Sequence, residues 1–262
     1  MKKFSLFIFF FAFVFNVNAQ DTFIKKGVGK EKANKQVYSD DVVLKFKKQL
    51  VGGFKLNNDG YGGFIEFGKY SSTSRCLLYQ FEISERKHAK EEKLQNNYMP
   101  TSPLIYGKLN FFYPVRLGVQ KFILLGNKGP KNGVCISGNI GGGISLGLLR
   151  PYMIQINKGN NTYAFVNYNS ADSIYYLDDQ QAQYIVGGPS FAEGWNNLKL
   201  VPGLYFKPSL RFDYGKYNDV VSGLEVGINA EAYSKKIPQM IRIKQHEYFL
   251  SIYAAILFGK RM

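Results

Sequence analysis

The feature that most constrains this chain is a two-residue alternation sustained well beyond the length of ordinary strands. Over residues 198–214 the even positions are Leu198, Leu200, Pro202, Leu204, Phe206, Pro208, Leu210, Phe212 and Tyr214. The odd positions are Lys199, Val201, Gly203, Tyr205, Lys207, Ser209, Arg211 and Asp213. Successive side chains of a strand take opposite faces, so one face here is apolar and the other largely polar or charged. The pattern recurs over 134–148, 220–233 and 247–258. Strands of soluble proteins are usually about 5–6 residues long, whereas a tilted strand needs about 9–11 to cross a bilayer. An antiparallel up-and-down transmembrane β-barrel accounts for such runs better than a secreted β-sandwich, whose core cannot use their full length.

The chain start agrees with that reading. Lys2 and Lys3 precede an apolar stretch from Phe4 to Val17, and Val17-Asn18-Ala19 supplies small residues at the −3 and −1 positions. This is the layout of a secretory signal peptide over residues 1–19. Residues 20–48 then form a lysine-rich periplasmic lead-in, and 49–262 the barrel. The net charge of +15 calls for anionic partners. For an exported chain these are lipopolysaccharide and other outer-membrane lipid rather than nucleic acid.

Eight strands are expected, over 49–57, 61–69, 75–84, 103–124, 134–156, 198–214, 219–234 and 247–259. Splitting the fourth at Pro114 and the fifth near Leu149 would give ten. Short turns at 71–74, 126–133 and 215–218 would face the periplasm, and longer loops at 57–60, 85–102, 157–197 and 235–246 the exterior, the usual asymmetry of such barrels. Tyr and Phe, 19 and 22 in number, suit interfacial girdles, and 27 Gly relieve interior crowding.

Strand parity sends Glu66, Glu82, Lys108, Arg116, Lys207, Arg211, Glu225 and Glu231 inward. The interior of an eight-stranded barrel is just filled by side chains, so these charges are expected to pair as a rigid plug. A narrow conduit is the alternative. A basic outer rim of Arg86, Lys87, Lys90, Lys93, Lys235, Lys236, Arg242 and Lys244 is the candidate contact for lipid A phosphates. His246, Glu247 and Ser251 raise the alternative of a rim-sited lipid A-modifying enzyme, but parity puts His246 and Glu247 on opposite faces. No catalytic residue, metal site or cofactor is assigned. Two His and two Cys give no zinc spacing, and Cys76 and Cys135 fall on alternate strands, beyond disulfide reach.

Three stretches, residues 110–118 (NFFYPVRLG), 143–152 (GISLGLLRPY) and 257–261 (LFGKR), resemble the small outer-membrane β-barrel proteins of the Bacteroidota type. The resemblance spans most of the chain after residue 20 and implies a location in the cell outer membrane and a barrel fold, not a reaction. It also implies contact with the barrel-insertion machinery, although Phe258 is followed by Gly-Lys-Arg-Met where such barrels often end on an aromatic residue. The expected role is non-enzymatic: structural, or binding through the external loops, as a subunit of a surface, export or motility complex. A protein partner would use those loops or residues 20–48.

Overall fold

The computed structural model describes residues 46–72, 75–94, 103–126, 133–158, 162–168, 185–215, 219–241 and 243–262. The signal-peptide reading and nearly all of the basic lead-in lie outside these residues. In chain order the strands are β1 (Lys48–Asn57), β2 (Gly60–Ser72), β3 (Arg75–Arg86), β4 (Lys93–Leu94), β5 (Leu104–Ile105), β6 (Asn110–Gly126) and β7 (Cys135–Pro151). There follow β8 (Met153–Asn157), β9 (Tyr163–Asn167), β10 (Ile185–Gly187), a 3-10 turn (Trp195–Asn197), β11 (Lys199–Asp213), β12 (Val220–Ile237) and β13 (His246–Arg261).

Eight of these strands close into an antiparallel up-and-down barrel in the order β1-β13-β12-β11-β7-β6-β3-β2. Pairing of β1 with β13, from Gln49 opposite Arg261 to Asn57 opposite Tyr253, closes the ring. Closure satisfies the edge hydrogen bonds that an open sheet would expose. Pro114 does not divide the fourth barrel strand, because it is accommodated in the ladder opposite Gly147. The β11–β12 ladder skips Lys207 and Pro208, where proline has no N–H to give.

Two strands are shorter than the alternation predicts, for different reasons. Residues 104–105 pair with Lys93–Leu94 instead of starting the fourth barrel strand, and Gly107, at φ 72°, turns the chain before Asn110. The fifth barrel strand ends at Pro151, and Met153–Asn157 joins β9 and β10 in a separate three-stranded sheet. The stretch expected as one long loop at 157–197 therefore contains strands.

The barrel is inside-out by the standard of a soluble protein. Outward side chains such as Phe54, at 79% exposure, and Leu250, at 71%, form a continuous apolar surface. Inward ones include Lys55, Glu66, Glu82, Arg116, Lys207 and Glu225, all fully buried.

Candidate functional site

Most of the interior charges form one connected network, with Asp213 and Arg261 a separate pair nearer the chain termini. Glu82 accepts from Lys55 and Arg116. Arg116 reaches Glu231 at 2.6 Å, and Arg86 reaches the same oxygen at 3.0 Å. Asn229 and Tyr233 also donate to Glu231. Closer to the chain termini, Arg211 spans Glu66, at 2.7 Å, and Glu225. Tyr253 donates to Glu225 at 2.7 Å. Lys207 joins the two halves, 3.3 Å from Glu225 and 3.8 Å from Glu82.

Apolar side chains pack at both ends of this charged stretch, Val51 level with Glu66 and Phe112 level with Arg86. Val51, Val221 and Leu257 pack toward the termini. Phe112, Leu149, Val201 and Ile237 pack toward the opposite mouth. A hydrogen-bonded charge layer between apolar layers fills the lumen with side chains. Glu82, Glu225 and Glu231 each have more than one cation, so the network shares its compensation, and removing several of its members would leave buried ions uncompensated.

The mouth carries a cap built from three of its four connections. The fourth is the tight turn at Asn58 and Asp59, whose Asp59 carboxylate meets Arg86 at 2.6 Å. Backbone bonds stitch the others together: Leu109 N to Gln239 O at 2.8 Å, Ile241 N to Gly107 O at 2.7 Å, and Tyr152 N to Leu109 O at 2.8 Å. The Tyr152 hydroxyl accepts from Ile105 N at 2.8 Å, and Tyr152 packs with Ile105, Ile154, Ile156 and Val166 in a small core. Arg150, buried at the top of β7, lies 4.1 Å from the Phe111 ring, 5.0 Å from Trp195 and 5.4 Å from Phe191. It also donates to the carbonyls of Phe191 and Glu193. One guanidinium thereby ties the segment before β11 to the barrel wall, through contacts individually worth about 0.5–2 kcal/mol.

The residues singled out by sequence fall into distinct places. Glu66, Glu82, Arg116, Lys207, Arg211, Glu225 and Glu231 lie within the barrel network. Lys108 does not: the turn at Gly107 carries it into the cap, where it bonds Glu91 at 2.6 Å and sits 4.2 Å from the Phe111 ring. Burial pulls its ammonium below the ordinary lysine range, with Glu91 opposing the shift. Arg86 is not a rim residue, because β3 runs two residues further than expected and parity turns its side chain inward, where it is 3% exposed. Lys87 is half-buried, 5.1 Å from the Tyr61 ring. Lys90, Lys93, Lys235, Lys236 and Lys244 are exposed, and Arg242 lies outside the described residues.

Lys55 and Arg150 are functional positions that the alternation alone does not single out. Lys55 had a signal, since it shares parity with Val51 while Phe54 and Leu56 take the other face. Arg150 had none, because its partners come from a segment that shows no alternation. The rim triad is not assembled: His246 is exposed, whereas Ser251 is buried in the lumen and accepts from Arg86 at 3.2 Å. No group of three or more metal-ligating side chains occurs among the described residues.

No protein-family model matches the chain, and no curated protein matches it in sequence. Solved structures similar to it include Neisserial surface protein A (NspA), at 10% identity over 82% of this chain and 94% of that one, with a TM-score of 0.34. The N-terminal β-barrel domain of Pseudomonas aeruginosa OprF matches at 8% identity over 81% and 98%, with a TM-score of 0.33. Ail, the attachment invasion locus protein of Yersinia pestis, matches at 7% over 82% and 98%, with a TM-score of 0.35. Identities this low transfer no residue role.

Proposed function

We propose that this chain spans a bacterial outer membrane, of the Bacteroidota type its motifs resemble, as a sealed, non-enzymatic barrel that presents its β-built cap to a partner outside the cell. The observation that carries the reading is the continuous apolar outer surface around an interior of paired charges. Water cannot solvate that surface favourably, whereas hydrocarbon can. The filled lumen speaks against the conduit alternative. Exposed His246 and lumen-buried Ser251 likewise speak against the rim enzyme. Exposed Lys90, Lys93, Lys235, Lys236 and Lys244 at the mouth suit lipid A phosphates, each cation contributing about 1 kcal/mol at an anionic surface.

Cell fractionation combined with gel migration before and after boiling tests this. The expected result is a protein confined to outer-membrane fractions that migrates faster unboiled. A soluble protein with unchanged migration would overturn the membrane reading.

A further inference from the structure

The apolar outer surface is not uniform. Across β2, β3, β6 and β7 it is indented by a groove of about 590 Å³ whose walls include Phe67, Tyr79, Phe81, Leu117 and Val119, with Gly142 among its lining residues. The indentation follows from chain geometry. A Cβ at Gly142 would lie 2.6 Å from the Tyr205 carbonyl oxygen, so the close approach of β11 admits no side chain there. Gly142 lies opposite Val119 on one side and Phe206 on the other, and Val119 opposite Tyr79.

One row nearer the chain termini, the same face carries charge. Lys69 pairs with Leu77, and Leu77 with Lys121. The two exposed lysines thus flank a leucine just below the groove, about 10 Å apart at the usual strand spacing. Neither is in an ion pair among the described residues. On the mouth side of the groove the corresponding row is Gly63, Ile83, Val115 and Leu146, with no charge. The outward faces of β11, β12 and β13 have Leu204, Leu210, Leu224, Ile228 and Ile252 across the middle of the belt. At its terminal end exposed Lys48 lies opposite Lys69 and exposed Lys260 opposite Leu50 and Val220, so the groove is set apart by its shape together with the Lys69–Lys121 pair. An apolar groove with paired cations at one end is complementary to a molecule with an acyl chain and a phosphate.

We infer that this face holds one anionic phospholipid of the leaflet nearest the chain termini, an acyl chain lying in the groove and the phosphate between Lys69 and Lys121. Lysine stems can run along apolar surface while their ammonium groups reach the headgroup level. The inference rests on the membrane-spanning reading. It adds a selective lipid site to the general apolar belt. A cation beside an anionic headgroup is worth about 1 kcal/mol, or roughly fivefold in local lipid concentration.

The test is native mass spectrometry of the full chain released from nanodiscs of phosphatidylcholine with a minor share of phosphatidylglycerol. Gel migration of the same samples reports whether the barrel has formed. The expected result is a one-to-one phosphatidylglycerol adduct enriched several-fold over its share of the bilayer. The enrichment is lost in Lys69→Gln/Lys121→Gln and in Val119→Phe, which fills the groove, and is kept in Lys199→Gln at the mouth. A folded barrel with no enrichment, or with enrichment that survives those variants, would overturn the lipid site and leave the barrel reading intact. A dimer abolished by Val119→Phe would assign the groove to a second copy instead. Failure to form a heat-modifiable barrel in any bilayer would overturn both readings.

Discussion

Arg116 holds Glu82 and Glu231 at once while taking the Ser84 hydroxyl at 3.1 Å. Its removal therefore takes a cation from each of two buried carboxylates, leaving Glu82 to Lys55 and Glu231 to Arg86. Arg116→Ala is expected to destabilise the barrel by about 3–5 kcal/mol, the usual cost of breaking a buried pair, read as a lower urea midpoint for unfolding from lipid vesicles. Parity alone is enough to send seven of the eight nominated charges to the inner face. It fails at Lys108 because the barrel strand begins only at Asn110, and the turn at Gly107 leaves Lys108 in the cap. It misplaces Arg86 because the alternation predicts a strand end at Ser84, whereas β3 continues to Arg86. Both errors arise where alternation stops, since a two-residue period carries no information about the turn that ends it.

At the scale of elements, the barrel strands were legible because both of their environments select side chains so strongly. The cap was not. Its strands are two to five residues long, too short for a periodic signal, and contacts with residues distant in sequence hold them. Arg150 is the clearest case, joining β7 to Phe191 and Trp195 some forty residues later. Trp195 is the one tryptophan of the chain and stacks on Tyr113 at 5.7 Å, so its fluorescence reports this junction. Arg150→Ala is expected to shift the emission to the red and open residues 188–198 to protease, at a local cost of about 2 kcal/mol. Faster migration without boiling should persist, because no barrel ladder depends on that guanidinium. Loss of the fast-migrating form in this variant would show instead that the cap and barrel fold as one unit.

For the molecule as a whole, the packed lumen predicts electrical silence. Planar bilayers containing the protein are expected to show no steady channel steps, and vesicles no added permeability to small sugars. Discrete, reproducible conductance from the wild-type chain would mean that the ion-pair layer opens. The same layer bears on how the protein can be assembled. Glu66 finds its cation at Arg211, and Arg86 its carboxylate at Glu231, each pair 145 residues apart. A lone charge at mid-bilayer costs about 2.5–3.5 kcal/mol even by the more lenient scales. Hairpins threading the membrane one after another would carry Glu66 across without its cation until the last third of the chain arrived, whereas Lys55, Glu82 and Arg116 can pair among the early strands. The pairing pattern therefore favours a single concerted passage, in which β11 and β12 meet the early strands before or as the hydrocarbon is crossed, and ring closure becomes the committing event of biogenesis.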